Sequence, residues 1–293
     1  MPLRLDALLP AEIARQAEEV GVRKATMDAV SLFTLAVLAG GFIAIGAIFA
    51  TTVALGSSAL SYGIARALAG IAFSTGLIMV VAGGAELFTG NNLIVMAFAS
   101  GRVTWQALAR NWVIVYLGNF AGSLITACGM YLANQHQLAG GAMGLAVLEI
   151  AHAKTSLAFV PALVLGVFCN ALVCMAVWMC LGARTTTGRI AAIVPPIAAF
   201  VAASFEHSVA NMYFIPVALF VKAGATPEFF AAIQRSAADF PQLTWGRFFW
   251  NNLVPVTLGN IIGGAGLVGA MYWFVYLRHA PRGGSSRAAN SLS

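Results

Sequence analysis

Two short polar segments interrupt long apolar stretches, and they carry the side chains best suited to chemistry on a small ion. One segment contains Glu86 and Thr89, and the other contains Glu206 and His207. An imidazole changes its charge near pH 6.5, so it can attract an anion or hand it a proton. A threonine hydroxyl can donate to a carboxylate or orient the ring. The pattern predicts a substrate pathway centred on His207, with Thr89 beside it and Glu206 tuning the histidine.

The composition places these segments in a membrane protein. Hydrophobic residues make up 60% of the 293-residue chain and charged residues only 9%, whereas a soluble domain carries about 25% charged residues. The net charge of +6 does not predict a nucleic-acid partner, because the basic residues stand between apolar runs and form no basic helix face. The cysteines form no CxxC pair, so neither a metal nor a cofactor is predicted.

Six apolar runs are long enough to cross a bilayer as helices, which needs about 20 residues. They cover residues 29–53, 66–99, 107–133, 156–182, 188–221 and 248–277. The second and fifth are too long for one simple span, and each contains one of the polar segments. Gly83, Gly84 and Gly90 disfavour helix in the second run. We therefore predict that both helices are broken in mid-membrane.

An internal repeat relates the two halves of the chain. Residues 111–122 match residues 252–263 at seven of twelve positions, and the E-x4-N spacing from Glu86 recurs from Glu206. Each half then holds three spans, and an odd number inserts the second copy upside down. The prediction is an all-α integral membrane protein of two inverted three-helix repeats, an arrangement typical of transporters and channels.

Buried carboxylates and amides stand near both breaks. Glu86, Asn91 and Asn211 are expected to bind backbone groups that the breaks leave free. Asn170 and Asn260 are expected on the pore side. A charge at membrane depth costs at least about 2.5 kcal/mol, and support of the break and a direct role in function remain open for both glutamates.

Apolar residues that flank the breaks at helical spacings are candidates for constrictions, which exclude hydrated ions by desolvation. They are Phe73, Leu77, Leu87, Val173 and Phe200. Taken singly, each is as well explained by core packing or lipid contact. Lys154, just before the fourth span, is expected to attract anions at the outer mouth, although a plain interfacial anchor fits equally well.

The basic residues also predict the topology. Eleven of the sixteen Lys and Arg residues fall in segments that are cytoplasmic if both termini are inside, and five fall outside. The predicted regions are a cytoplasmic amphipathic helix at 1–27 with Ile13, Ala14, Ala17 and Val20 on one face, a channel domain at 28–280 with repeats at about 28–133 and 156–278, and a disordered cytoplasmic tail at 281–293. The helix is expected to lie on the membrane surface or cap the pore mouth.

Three segments resemble the signatures of the formate/nitrite transporter family. They are residues 84–91, 205–212 and 252–264, and the resemblance extends over about residues 10–280. It is closest to the formate channel branch. The resemblance implies an aquaporin-like fold, a homopentamer with one pore per subunit, a central His207 paired with Thr89, and the apolar constrictions already named. It also implicates the N-terminal helix in gating.

The expected function is therefore a channel for small weak-acid anions in the cell inner membrane, most simply formate. Formate is an anion at pH 7, and we expect it to take a proton at His207 and cross as formic acid, passively at neutral pH and with protons in acid. Nitrite or hydrosulfide remain alternative substrates. A membrane-embedded enzyme or a receptor is disfavoured, because the sequence shows no nucleophile or metal cluster and no soluble signalling domain.

Overall fold

A computed structural model of the protein describes residues 7–55 and 59–279. These residues form helices and loops without a β-sheet. The helices are α1 (Pro10–Thr26), α2 (Ala29–Leu55), α3 (Tyr62–Gly83), α4 (Phe88–Ala99), α5 (Trp105–Leu132), α6 (Ala142–Thr155), α7 (Phe159–Gly182), α8 (Thr186–Ala202), α9 (Ser208–Gly224), α10 (Pro227–Ala232) and α11 (Trp245–Tyr276). The predicted tail at 281–293 lies outside the described residues.

The apolar runs found in the sequence correspond to these helices. Five helices in the described ranges are long and apolar enough to cross a membrane: α2, α3, α5, α7 and α11. The second predicted span is divided into α3 and α4, and the fifth into α8 and α9. The helices α4, α8 and α9 are shorter apolar segments. The protein is thus an all-helical, multi-pass membrane protein with two interrupted spans.

Both interruptions begin with the same left-handed turn. The chain leaves α3 through Gly84 at φ 71° and leaves α8 through Ser204 at φ 58°. One residue later, Ala85 and Phe205 donate their backbone N–H groups back to carbonyls five residues earlier. Glycine adopts this conformation without strain, whereas serine does so at some cost. Gly83 and Gly90, which were expected to help break the second span, lie instead within helices, so Gly84 alone makes the turn in that span.

Small residues let the long helices of each half pack closely. On α11, a Cβ at Gly263 would lie 2.0 Å from the carbonyl oxygen of Val167 on α7. On α5, a Cβ at Gly122 would lie 2.0 Å from the carbonyl oxygen of Val37 on α2. Glycine at a membrane helix interface permits such an approach of two backbones. The two contacts are equivalent in the predicted repeat, because residues 122 and 263 align.

We predict that Gly263→Ala destabilises the protein by about 3 kcal/mol, because the new methyl group meets backbone atoms that cannot move aside. Gly266 lies on the exposed face of the same helix, and a Cβ added there would meet nothing within 4 Å. Gly266→Ala should therefore leave stability unchanged or slightly raise it. Thermal unfolding of the purified variants in detergent checks both results. Equal melting temperatures for the two variants would contradict the close packing of α7 and α11.

The N-terminal helix α1 packs on the bundle through the face expected from its sequence pattern. Ile13, Ala14 and Ala17 are buried and contact Met96 and Trp178. Val20, predicted on the same face, is half-buried and lines a cavity rather than the core. The helix therefore covers one end of the protein interior and leaves room beneath it.

Candidate functional site

The two interrupted spans bring Thr89 and His207 into contact. The Thr89 hydroxyl lies 3.0 Å from Nε2 of His207, and both residues are buried. Thr89 was expected in the break itself, but it stands in the first turn of α4, just after the break. His207 is the N-cap residue of α9. Each side chain therefore projects from a helix start, where the backbone direction is fixed.

The contacts of His207 define its protonation pattern. Its Nδ1 accepts the backbone N–H of Ala210 at 3.0 Å, which caps the first turn of α9. A nitrogen that accepts a hydrogen bond carries no proton, so a neutral ring holds its proton on Nε2. Nε2–H then donates to the Thr89 oxygen, and the Thr89 hydroxyl proton is free to donate elsewhere. The Phe200 ring stacks on the imidazole with centroids 5.9 Å apart.

The neighbouring carboxylate does not touch the imidazole. Glu206 accepts from Lys154 at 2.8 Å, from Asn211 at 2.7 Å and from Asn252 at 3.1 Å. All of these partners lie outside the pair formed by His207 and Thr89. The expected tuning of the histidine by Glu206 is therefore not a direct hydrogen bond, because the carboxylate oxygens bind amide and ammonium partners.

The first half of the chain repeats this cluster. Glu86 accepts from Lys24 at 2.9 Å and from Asn91 at 2.7 Å, and Asn91 also donates to Asn111 at 3.0 Å. The Asn111 side chain donates to the backbone carbonyl of Lys24, as Asn252 does to that of Lys154. Glu86 and Asn91 lie beside the break, but their side chains bind the side chains of Lys24 and Asn111 and each other, not the freed backbone groups that they were expected to bind.

Lys24 was missed from the sequence, and Lys154 has a different setting from the one expected. Lys154 belongs to α6, a helix not foreseen before the fourth span, and its ammonium is paired with buried Glu206 instead of standing free at a mouth. Lys24 occupies the equivalent place on α1. The equivalent contacts therefore begin at α1 and α6, earlier than the predicted repeat starts at 28 and 156. The sequence does contain a signal for this equivalence. Lys24 stands twelve residues before Ala36 and Lys154 stands twelve residues before Gly166, and the carbonyls of Ala36 and Gly166 accept from equivalent asparagines, Asn119 and Asn260.

Asparagines at equivalent places hold the two breaks. Asn260 donates to the carbonyls of Gly166 and Glu206 and accepts from the Ser208 N–H. Asn119 donates to the carbonyls of Ala36 and Glu86 and accepts from the Phe88 N–H. The groups of Glu86, Phe88, Glu206 and Ser208 lie at the breaks, where intrahelical partners are missing, and buried backbone groups must be satisfied. The carbonyls of Ala36 and Gly166 belong to the intact neighbouring helices α2 and α7. Asn260 therefore stabilises the break.

Asn170 also serves the backbone. Its amide donates to the carbonyls of Thr89 and Asn260 and to the side chain of Asn92. Asn170 and Asn260 line neither of the two cavities described below, and both are fully buried. Their hydrogen bonds are made to neighbouring backbone and amide groups, and their pore-side position stays a prediction. The predicted supporting amide Asn211 binds Glu206 and Asn252.

Two cavities approach the contact between Thr89 and His207 from opposite ends of α3 and α7. The first, which we call the α1 cavity, has a volume of about 380 Å³ and lies at the C-terminal ends of these helices, under α1. The second, the His207 cavity, has a volume of about 340 Å³ and lies toward their N-terminal ends. Thr89 lines neither cavity, and His207 lines the second. The pair therefore stands at the boundary between them.

The boundary is apolar. Leu77 and Leu87 line the α1 cavity, whereas Phe73 and Phe200 line the His207 cavity, with ring centroids 5.5 Å apart. Val173 is buried and lines neither. Phe73 and Leu77 are one helical turn apart on α3, so the barrier is only about 6 Å thick along that helix. An ion that passes from one cavity to the other would have to lose its water shell between these apolar side chains.

The charges that line the cavities are predominantly positive. The α1 cavity is lined by Arg23, Lys24, Arg189 and one carboxylate, Glu86, which is paired with Lys24. The His207 cavity is lined by Arg66 and by the Lys154–Glu206 pair. Each cavity therefore retains at least one positive charge, which raises the local concentration of anions. No group of three His, Cys, Asp or Glu residues in 7–55 and 59–279 could hold a metal ion.

Known proteins resemble this chain over nearly its whole length. The family model for formate/nitrite transporters matches residues 11–274. The formate channel FocA of Escherichia coli K12 is 46% identical over 273 residues, which are 93% of this chain and 96% of that protein. FocA of Haemophilus influenzae is 38% identical over 273 residues, which are 93% of this chain and 96% of that protein. A solved pentameric formate channel with formate bound is 43% identical at a TM-score of 0.81, covering 85% of this chain and 98% of that one.

Proposed function

Because this chain belongs to the formate/nitrite transporter family, we propose that it is a channel that passes formate across the membrane as a homopentamer with one pore in each subunit. The observation that carries the proposal is the Thr89–His207 contact, which stands between two positively lined cavities and is framed by apolar side chains. Relatives 46% and 38% identical are named formate channels, and the similar solved structure is pentameric.

The first step of passage is attraction of the anion. Formate is charged at pH 7, and an unpaired charge does not enter an apolar constriction cheaply. Arg23 and Arg189 on one side and Arg66 on the other concentrate it at the ends of the barrier. Larger or doubly charged anions gain from the same attraction, but they lose more on dehydration at Phe73 and Leu77.

The second step is replacement of water by Thr89 and His207. The Thr89 hydroxyl proton has no protein acceptor among the described residues, and Nε2–H of His207 can turn from the Thr89 oxygen to a substrate oxygen. A carboxylate with two oxygens fits two adjacent donors. Hydrogen bonds to a charged acceptor are worth about 1.5–3 kcal/mol each, which offsets part of the desolvation cost at the narrowest point.

In this proposal, His207 transfers a proton to formate only at acid pH. An imidazolium carries protons on both nitrogens, so it cannot accept the Ala210 N–H that caps α9. The charged form also meets the positive end of that helix dipole. In acid, the Nε2 proton of an imidazolium passes to formate, which leaves a neutral ring protonated on Nδ1 until Nε2 takes up the next proton. Neutral formic acid then crosses the apolar barrier. The cap therefore separates passive flux near pH 7 from proton-coupled flux in acid.

The proposed location is the cell inner membrane with both termini in the cytoplasm, which follows from the distribution of basic residues. In this orientation the α1 cavity opens toward the cytoplasm and the His207 cavity toward the outside. Protons and lipid are the remaining partners.

The test is flux of formate, nitrite and acetate into liposomes containing the purified protein, at pH 5 and pH 7. We expect formate to move at least about tenfold faster than acetate, because the additional methyl group must pass between Phe73 and Phe200. Empty liposomes at each pH give the background leak of the neutral acids. Nitrite flux that exceeds formate flux would favour a nitrite channel of the same family, and no flux above background would reject the channel.

A further inference from the structure

Arg66 lies in the wall of the His207 cavity, where contacts with the end of α8 hold its side chain. Its Nη2 donates to the carbonyl of Val201 and, at 2.8 Å, to the hydroxyl of Ser204, and its Nε donates to the carbonyl of Ala202 at 3.4 Å. The two carbonyls belong to the last turn of α8, where helix carbonyls lack intrahelical partners. The guanidinium therefore caps α8 and fixes the left-handed turn at Ser204.

The hydrogen-bond capacity of Arg66 exceeds these contacts. A guanidinium has five N–H donors, and the three on Nε and Nη2 are those used on the loop. The two on Nη1 have no protein acceptor among the described residues, and Nη1 is not fully buried. The side chain is half-buried and lines the cavity. Nη1 is therefore open to a ligand.

Arg66 also supplies the unbalanced charge of this cavity. The charged residues that line it are Arg66, Lys154 and Glu206. Lys154 and Glu206 are paired at 2.8 Å and neutralise each other, whereas the partners of Arg66 are neutral carbonyl and hydroxyl oxygens. An anion that enters the cavity is attracted to Arg66 more than to the paired lysine.

We infer that Arg66 is an anion-docking residue of this channel, which binds a small monovalent oxyanion through Nη1 before the anion reaches His207. The inference rests on the proposed channel function. The loop contacts hold the guanidinium in place, so that little side-chain entropy is lost when the anion binds. The same side chain thus fixes the break and presents two donors to the carboxylate.

The test is exchange of labelled formate in proteoliposomes with equal formate on both sides, which makes the orientation of the protein irrelevant. For Arg66→Gln at low ionic strength, the half-saturating formate concentration should rise about fivefold with a maximal rate within about twofold of wild type. In about 1 M potassium gluconate the difference should shrink, because exposed charges are screened. Arg235→Gln, which removes an exposed arginine outside both cavities, should match wild type.

Ser204→Gly separates docking from support of the loop. Glycine accepts the φ of 58° without strain, and Arg66 keeps its two carbonyl partners. This variant should keep the half-saturating concentration of wild type. A shift as large as that of Arg66→Gln, or a shift in Arg66→Gln that salt does not reduce, would overturn the docking role and leave Arg66 as a helix cap.

Arg66→Lys covers the case in which Arg66→Gln does not fold. A lysine keeps the charge but cannot cap three acceptors and face the cavity together, so the half-saturating concentration should rise about twofold. An unchanged value in Arg66→Lys contradicts the inference if Arg66→Gln is not obtained. Wild-type protein without formate exchange rejects the channel function itself, whereas saturable wild-type exchange with equal values in Arg66→Gln rejects only the docking residue.

Discussion

Replacement of Lys154 by methionine is expected to lower the free energy of unfolding by about 3–5 kcal/mol, which is the usual cost of leaving one partner of a buried ion pair alone. The side chain of Lys154 is 17% exposed and that of Glu206 is 5% exposed. Glu206 would keep only the amides of Asn211 and Asn252, which carry no charge. Thermal unfolding of the purified protein in detergent measures the loss.

Two further variants show whether the loss comes from the unpaired carboxylate. Lys154→Met combined with Glu206→Gln removes both charges and should recover part of the stability. Lys24→Met makes the same change in the other half, where the lysine side chain is 27% exposed, so water screens more of the charge and the loss should be smaller. If Lys154→Met has the same melting temperature as wild type, the Lys154–Glu206 pair is not buried in the purified protein.

Replacement of His207 by phenylalanine is expected to reduce formate flux at pH 7 by about 100-fold or more. The change removes the Nε2 donor beside Thr89 and the Nδ1 acceptor of the Ala210 N–H. The lost hydrogen bond from Nε2–H to the formate anion is worth about 1.5–3 kcal/mol, which is roughly 10- to 150-fold in rate. The apolar ring also extends the barrier made by Phe73 and Phe200. Stopped-flow uptake by proteoliposomes gives the rates.

Conservative changes at the same contact separate the donor from the helix cap. Asparagine is among the best N-cap residues, so His207→Asn should keep α9 intact but lose the reach to Thr89, with flux intermediate between wild type and His207→Phe.

Thr89→Ser keeps a hydroxyl, so its formate flux should stay near that of wild type. Thr89→Val loses the hydroxyl, so its flux should fall. Equal flux in Thr89→Ser and Thr89→Val would contradict a role for the hydroxyl.

The sequence predicted the elements of the fold whose signals are local and strong. The length of the apolar runs indicated the helices, and the polar residues around Glu86 and Glu206 indicated where two of them are interrupted. The all-helical membrane fold and the family are confirmed. The inverted orientation of the two halves stays a prediction, although Asn119 and Asn260 make the same three contacts in each half.

The site was predicted less completely, because its partners come from separate elements. Lys24 stands in a charged N-terminal helix where a lysine is unremarkable by composition, and only folding brings it to Glu86. Asn170 and Asn260 are predicted as pore residues because both are polar at membrane depth, and this stays a prediction. Whether a buried amide faces a pore or a broken backbone depends on helix rotation, which an almost uniformly apolar helix does not encode.

The repeat also shows what distinguishes the halves. With Glu86 aligned on Glu206, the position of His207 corresponds to Leu87 and the position of Thr89 corresponds to Val209. Each half therefore contributes one polar residue to the shared contact and one apolar residue at the equivalent place. A single imidazole and a single hydroxyl meet between the cavities, which suits one small monovalent anion at a time.

The most direct test of passage at the Thr89–His207 contact is the pH profile of formate flux between pH 7 and pH 5, in wild type and in His207→Asn, with leak through empty liposomes subtracted. We expect wild-type flux to rise as the pH falls, because the imidazole takes up a proton and passes it to formate. His207→Asn should be slower at pH 7 and should lose most of this rise. A His207→Asn profile with the rate and slope of wild type would contradict this expectation.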